Sequence, residues 1–186
     1  MNLARLVALL VGLSAVTAAA PVDAQQTAKF AKIDCSASRL VMPPKLICLA
    51  SNEVAGGDFA GGSPGGLFKY WNAIGKVGGR KAYLFGVESV DASSEIRVNS
   101  TLGDAINVIT PYPKPATNFS DLRRMADADV VLFTSGDGDD CAAVRKIGPA
   151  RQTGYRWVVF GLLCGPSGKT LADGELSSFI SSVGFR

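Results

Sequence analysis

The chain has 186 residues, a formal charge of +3 and no histidine. Without imidazole it has no Ser-His or Cys-His nucleophile pair, no ordinary general base near neutral pH and not one copy of the commonest metal ligand. Its basic residues are scattered in pairs, Arg80-Lys81, Arg123-Arg124 and Arg145-Lys146, with no basic block interleaved with aromatics, so nucleic acid is excluded as a partner.

At the N-terminus Arg5 precedes an apolar run from Leu6 to Val16 that is too short to anchor a chain in a bilayer. Val22 and Ala24 then place small residues at the −3 and −1 positions before Gln25-Gln26, as a signal peptidase groove requires. Residues 1–24 are therefore expected to be a cleavable secretory signal. The product is a periplasmic or secreted domain over 25–186, with no stable membrane anchor. No basic stop-transfer flank follows the run, which argues against an uncleaved anchor, and no cysteine at the cleavage point offers a site for lipid. About 160 residues bury one core without metal or dense cross-linking.

All four cysteines, Cys35, Cys48, Cys141 and Cys164, lie beyond that point. An even count in an exported chain favours disulfides. Three connectivities are open; proximity in sequence favours Cys35 with Cys48 and Cys141 with Cys164. A zinc site lacks any Cys-x-x-Cys spacing.

In chain order, Lys45–Ala50 is a short apolar run and reads as a buried strand. A glycine-rich loop, 51–66, follows. Leu67, Trp71, Ile74 and Val77 recur at helical spacing, predicting a helix over Gly66–Val77 ended by Gly78-Gly79. Lys81–Val87 is the next buried strand, and Glu95–Val98 a short edge strand. Leu102, Ile106 and Ile109 mark a helix that Pro111 terminates, and the prolines over Tyr112–Asn118 make a stiff loop. Ser120 is placed to cap a helix through Met125. Asp129–Thr134 reads as a strand, Ser135–Asp140 as an acidic turn, Cys141–Ile147 as a helix, Arg156–Leu163 as a strand and Glu175–Val183 as a closing helix. Buried strands alternating with helices predict an α/β fold: a doubly wound, mainly parallel sheet with helices on both faces.

Three motifs bear on chemistry. Gly165-Pro166-Ser167-Gly168-Lys169-Thr170 ends like a phosphate loop, but the first glycine of that motif would fall at Leu163, so it reads as a polar turn. Ser63-Pro64-Gly65-Gly66 resembles the turn of Clp-type serine proteases, whose histidine is missing here. Asp137-Gly138-Asp139-Asp140 has the carboxylate density of a hard-cation loop without being an EF-hand, since Ala142 and Gly148 occupy its sixth and twelfth positions. An acidic turn at a helix start is the plainer reading.

The run Val130-Val131-Leu132-Phe133-Thr134-Ser135-Gly136-Asp137, followed by the strand at Arg156 and by Leu171–Ile180, resembles a von Willebrand factor A domain, whose apolar strand ends in Thr-Asp-Gly. Ala116-Thr117-Asn118 is similar to that family's Gly-Thr-Asn loop. The family's Asp-x-Ser-x-Ser segment reads Ala50-Ser51-Asn52-Glu53-Val54 here, and Ser135 replaces the aspartate of Thr-Asp-Gly. The resemblance implies a doubly wound module with a degenerate metal-ion-dependent adhesion site. Glu53, Thr117, Asp137 and Asp139 are its candidate ligands, either without a cofactor or holding magnesium or calcium.

The reading that follows is an exported, non-enzymatic binding module that engages an unidentified protein partner through loops at the C-terminal ends of its strands. Two alternatives use the same scaffold. One is a hydrolase with Glu53 and Asp137 as an acid and base pair. The other is a small-ligand binder stacking its ligand on Trp71, Tyr112 or Trp157, although Trp71 and Trp157 fall on apolar faces suited to the core.

Overall fold

A computed structural model describes residues 28–55, 66–109 and 114–186. The expected signal segment, the Ser63-Pro64-Gly65 turn and Tyr112 fall outside these residues. Strands dominate: β1 (Phe30–Ile33), β2 (Leu40–Val41), β3 (Ile47–Ser51), β4 (Val54–Ala55), β5 (Leu67–Val77), β6 (Arg80–Ser89), β7 (Arg123–Met125), β8 (Ala128–Thr134), β9 (Asp140–Ile147), β10 (Trp157–Gly165) and β11 (Gly184–Phe185). Among the described residues only α1 (Leu102–Ile109) and α2 (Asp173–Ser182) are α-helical.

The main sheet runs β1-β3-β5-β6-β10-β9-β8-β7, with β4 beside β5, and each pairing in it is antiparallel. The expected doubly wound parallel sheet is therefore wrong. Three predicted helices caused the error. Gly66–Val77 is β5, Ser120–Met125 leads into β7, and Cys141–Ile147 is β9. Of the expected edge strand at Glu95–Val98, only a bridge between Ile96 and Tyr155 forms.

The physical reason is that the central strands of this sheet are covered on both faces. Cys141, Ala142, Ala143 and Val144 are buried in succession, because alternate residues of β9 enter different cores. Continuous burial of this kind follows from two covered faces whatever the strand direction. In β5 the aromatic residues Phe68, Tyr70 and Trp71 suit a pleated surface, and cross-strand partners override the helical spacing. Gly78 and Gly79 do not end a helix. Both adopt positive φ (57° and 83°) and join Val77 to Arg80 in a tight hairpin, a turn that glycine enters without a Cβ clash.

One core packs α2, Leu40 and Leu171 against Ala82, Leu84, Val144, Val159 and Leu163. The opposite core packs α1 and Ile96 against Phe85, Val87, Phe133, Phe160 and Leu162. Each half of the sheet draws on one stretch of the chain, with β1, β3, β4, β5 and β6 on one side and β7 to β10 on the other, while β2 and β11 pair as a separate antiparallel ribbon. The halves meet where β6 pairs with β10.

Both expected disulfides are present. Cys35 and Cys48 are joined, with Cα atoms 5.2 Å apart. Cys141 and Cys164 are joined as direct cross-strand partners on β9 and β10. Such bonds fit a chain that matures in an oxidising compartment. Among the described residues no helix is long and apolar enough to cross a membrane.

Candidate functional site

The antiparallel order decides where the predicted ligands lie. In a parallel sheet every strand would end on the same side, whereas here β3 and β8 run in opposite directions. Thr117, Asp137 and Asp139 gather at the end that carries the Gly78-Gly79 hairpin and the turn between β8 and β9. Thr117 bridges Thr134, with N–H···O distances of 2.9 and 2.8 Å in the two directions. Glu53 follows β3 at the opposite end. The nine residues of β10 span that interval, which separates it from the other three by about 25 Å along the strand direction at the usual rise per residue, in addition to the strands between β3 and β8.

Glu53 and Asp137 are both exposed and cannot act on one substrate atom, so the acid and base pair fails. The metal set does not converge either, and among the described residues no group of three or more acidic, cysteine or histidine side chains is placed to hold an ion. Asp139 already has a cation, since Lys81 Nζ donates to its carboxylate at 2.7 Å. Its backbone shapes the turn instead: its N–H donates to Ser135 Oγ (3.1 Å) and its carbonyl accepts from Ser135 N–H (2.9 Å).

The Gly165–Thr170 loop is likewise committed. Gly168 N–H donates to Asp140 Oδ2 (2.8 Å), so a protein carboxylate stands where a phosphate loop would receive its anion. Arg80 donates to the carbonyls of Lys169 (3.2 Å) and Thr170 (3.4 Å).

The tryptophans are packing residues. Trp71 is 5% exposed and donates through Nε1 to Glu88 (3.0 Å). Trp157 stacks on Phe185 at 5.4 Å.

What the structure offers instead is the segment just before β7. Ser120 N–H donates to the Leu132 carbonyl (2.8 Å), and Ser120 Oγ accepts from Leu132 N–H (2.9 Å), which lays residues 117–122 along the edge of β8. Asn118 turns through positive φ (54°) and reaches Thr134 Oγ1 at 3.3 Å. Beyond it Phe119, 37% exposed, stacks on Phe133 at 5.6 Å, and Leu122 is 57% exposed.

Two clefts flank this edge. One, of about 420 Å³, opens between the start of α1 and Phe119, with Asp104, Asp121, Leu122, Val131 and Arg145 among its walls. The other, of about 240 Å³, lies on the opposite side against Asn118, Thr134, Asp140 and Thr170.

Arg145 and Asp104, two of the charges that line the larger cleft, are fixed in place. Arg145 donates to Asp129 Oδ2 through Nη2 (2.9 Å) and Nε (3.2 Å), and to the Ser100 carbonyl (3.2 Å). Burial alone would raise the Asp129 carboxyl, but the bonds from Arg124 and Arg145 outweigh it and hold Asp129 below the usual range. Asp104 and Thr101 close a reciprocal cap on α1, Thr101 Oγ1 donating to Asp104 Oδ2 (2.6 Å) and accepting from Asp104 N–H (3.1 Å).

Sequence reasoning missed Phe119, Leu122 and Arg145 as site residues. The available signal was a pair of large apolar residues inside the polar stretch Asn118-Phe119-Ser120-Asp121-Leu122, next to a proline-rich loop. No family model matches the chain, and neither curated proteins nor solved structures gave a match.

Proposed function

We propose that the chain is an exported, non-enzymatic binding module that engages a protein partner through the edge segment Asn118–Leu122. The observation that carries this reading is the exposure of Phe119 and Leu122 on a fixed edge, with a cleft on each side. Apolar anchors beside a concave surface are the usual centre of a protein interface. The carboxylates of Asp129, Asp104 and Asp140 around the clefts already hold Arg124, Arg145, Thr101 or Gly168, which suits a binding surface better than proton transfer.

The test is a photo-reactive side chain in place of Leu122, with the cross-linked protein identified from the exported fraction and then purified. That partner should bind the unmodified chain saturably, and Leu122→Asp should weaken binding at least roughly tenfold, the cost expected of an interface anchor, at unchanged melting temperature. Equal affinity of the variant, or a cross-link that no purified protein reproduces, overturns the reading.

A further inference from the structure

The strand register builds a second surface, on the N-terminal half of the sheet. Ile47 is directly opposite Ile74, and Ile74 directly opposite Tyr83, so the three stand in one row across β3, β5 and β6 on the same face. Ile47 is 55% exposed and Ile74 42%; Tyr83 is half-buried. Lys76 and Lys81, paired opposite each other, stand one row nearer the Gly78-Gly79 hairpin. Lys32 stands one row farther, opposite Leu49. Lys45, just before β3, belongs to the other face, its carbonyl lying against the side of Gly75 that points away from Ile74. The apolar row is thus flanked by Lys76 and Lys81 on one side and Lys32 on the other. The helix on this side, α1, packs on β8 and β9 in the other half.

Two observations indicate what covers this face. Like charges directly opposite each other weaken a sheet. Asp139 meets Lys81, but among the described residues Lys32 and Lys76 enter no ion pair. An anionic occupant is therefore favoured, and a second copy of the chain, bearing the same lysines, is disfavoured. The cations are also all lysines, around aliphatic anchors and a tyrosine. Protein interfaces are poor in lysine and rich in arginine. At a lipid boundary, by contrast, lysine stems lie along the apolar surface while their ammonium groups reach headgroup phosphates, and tyrosine sits at headgroup depth.

We infer that this face of β3, β5 and β6 docks on an anionic lipid surface, with Ile47, Ile74 and Tyr83 at the acyl boundary and Lys32 and Lys76 on the headgroups. The surface is distinct from the Asn118–Leu122 edge, so either assignment stands or falls alone.

Vesicle flotation of the chain recovered from an exporting host tests it, using equal parts phosphatidylcholine and phosphatidylglycerol against phosphatidylcholine alone. Binding is expected only with phosphatidylglycerol, and added salt should weaken it. Neutralising Lys32 and Lys76 together to Gln should reduce binding by roughly thirtyfold, each lysine contributing about fivefold. Ile74→Asn, at an exposed position, should reduce it at unchanged melting temperature. Absence of binding to the anionic vesicles overturns the inference. So does undiminished binding of the double variant, which would place membrane contact elsewhere on the chain. A cross-link from position 74 to an acidic protein, with no vesicle binding, overturns it in favour of a protein partner.

Discussion

Arg80, the first residue of β6, donates through Nε to the carboxylate of Glu175 in the first turn of α2. One side chain thereby ties the Gly78-Gly79 hairpin to the closing helix, and through its other nitrogens to the loop that ends at Leu171. The Arg80 guanidinium also lies over Gly165, where a Cβ would collide with it. Arg80→Ala is expected to lower the stability of the fold by about 1–2 kcal/mol, the range of a charge-assisted hydrogen bond discounted for partial exposure. Equilibrium denaturation in urea measures this, and a loss within error of zero would reduce the pair to a surface contact.

The bond between Cys141 and Cys164 closes a loop with a sequence separation of 23 residues. Replacing both cysteines by alanine should remove about 3 kcal/mol, as expected for a loop of this length. The same variant should leave the other disulfide intact, which mass measurement after thiol blocking checks directly. Undiminished stability would mean that the strand pairing alone holds β9 against β10.

Asp91 accepts from the backbone N–H groups of Ser93 (2.9 Å), Ser94 (2.6 Å) and Leu67 (3.2 Å) and from the hydroxyls of Ser93 (2.8 Å) and Ser94 (2.6 Å). The Ser94 hydroxyl, then that of Ser93, holds its carboxyl well below the ordinary value of 3.8. A depressed carboxyl contributes stability that is complete above its unfolded value and is lost as pH falls through the folded one. Asp91→Asn should therefore lower the melting temperature near neutrality, and the gap from the parent chain should close on acidification below about pH 4. A gap independent of pH would show that the asparagine disturbs only local packing.

Calcium and magnesium are expected to produce no saturable heat in calorimetry, because Lys81 holds Asp139 and Glu53 lies at the other end of the sheet. Asp137→Ala should leave the titration unchanged. A saturable signal in the parent chain that this substitution abolishes would restore the adhesion-site reading.

The strands at Ile47, Arg80, Ala128 and Trp157 were legible because each is a short apolar run bounded by turn residues. Both α-helices were legible from their periodicity. β5 and β9 were not, because the two cores draw on alternate residues of each strand and so erase the alternation that marks a half-buried strand. The glycines at 78 and 79 carried the correction: a glycine pair between apolar runs is a hairpin signal as well as a helix stop. Once β5 and β6 form a hairpin, the sheet turns antiparallel and a site drawn across parallel strand ends comes apart. Phe119 and Leu122 were hidden for a different reason. Their importance lies in remaining exposed, which depends on the Ser120–Leu132 pairing and not on any local motif. The cysteine pairing was legible because each partner lies within its own half of the chain.

That last fact bears on how the protein matures. Cys35–Cys48 falls within the stretch that builds β1 and β3 to β6, and Cys141–Cys164 within the stretch that builds β7 to β10, while β6 and β10 come together across a long stretch of chain. Loop closure favours near neighbours over distant ones. Oxidation can therefore proceed in each half before the two dock, and it leaves the final seam held by strand pairing and core packing alone. In a reducing environment the chain would lose both internal braces yet keep the same seam, so the thiol state should govern how firmly each half is formed and not which halves recognise each other.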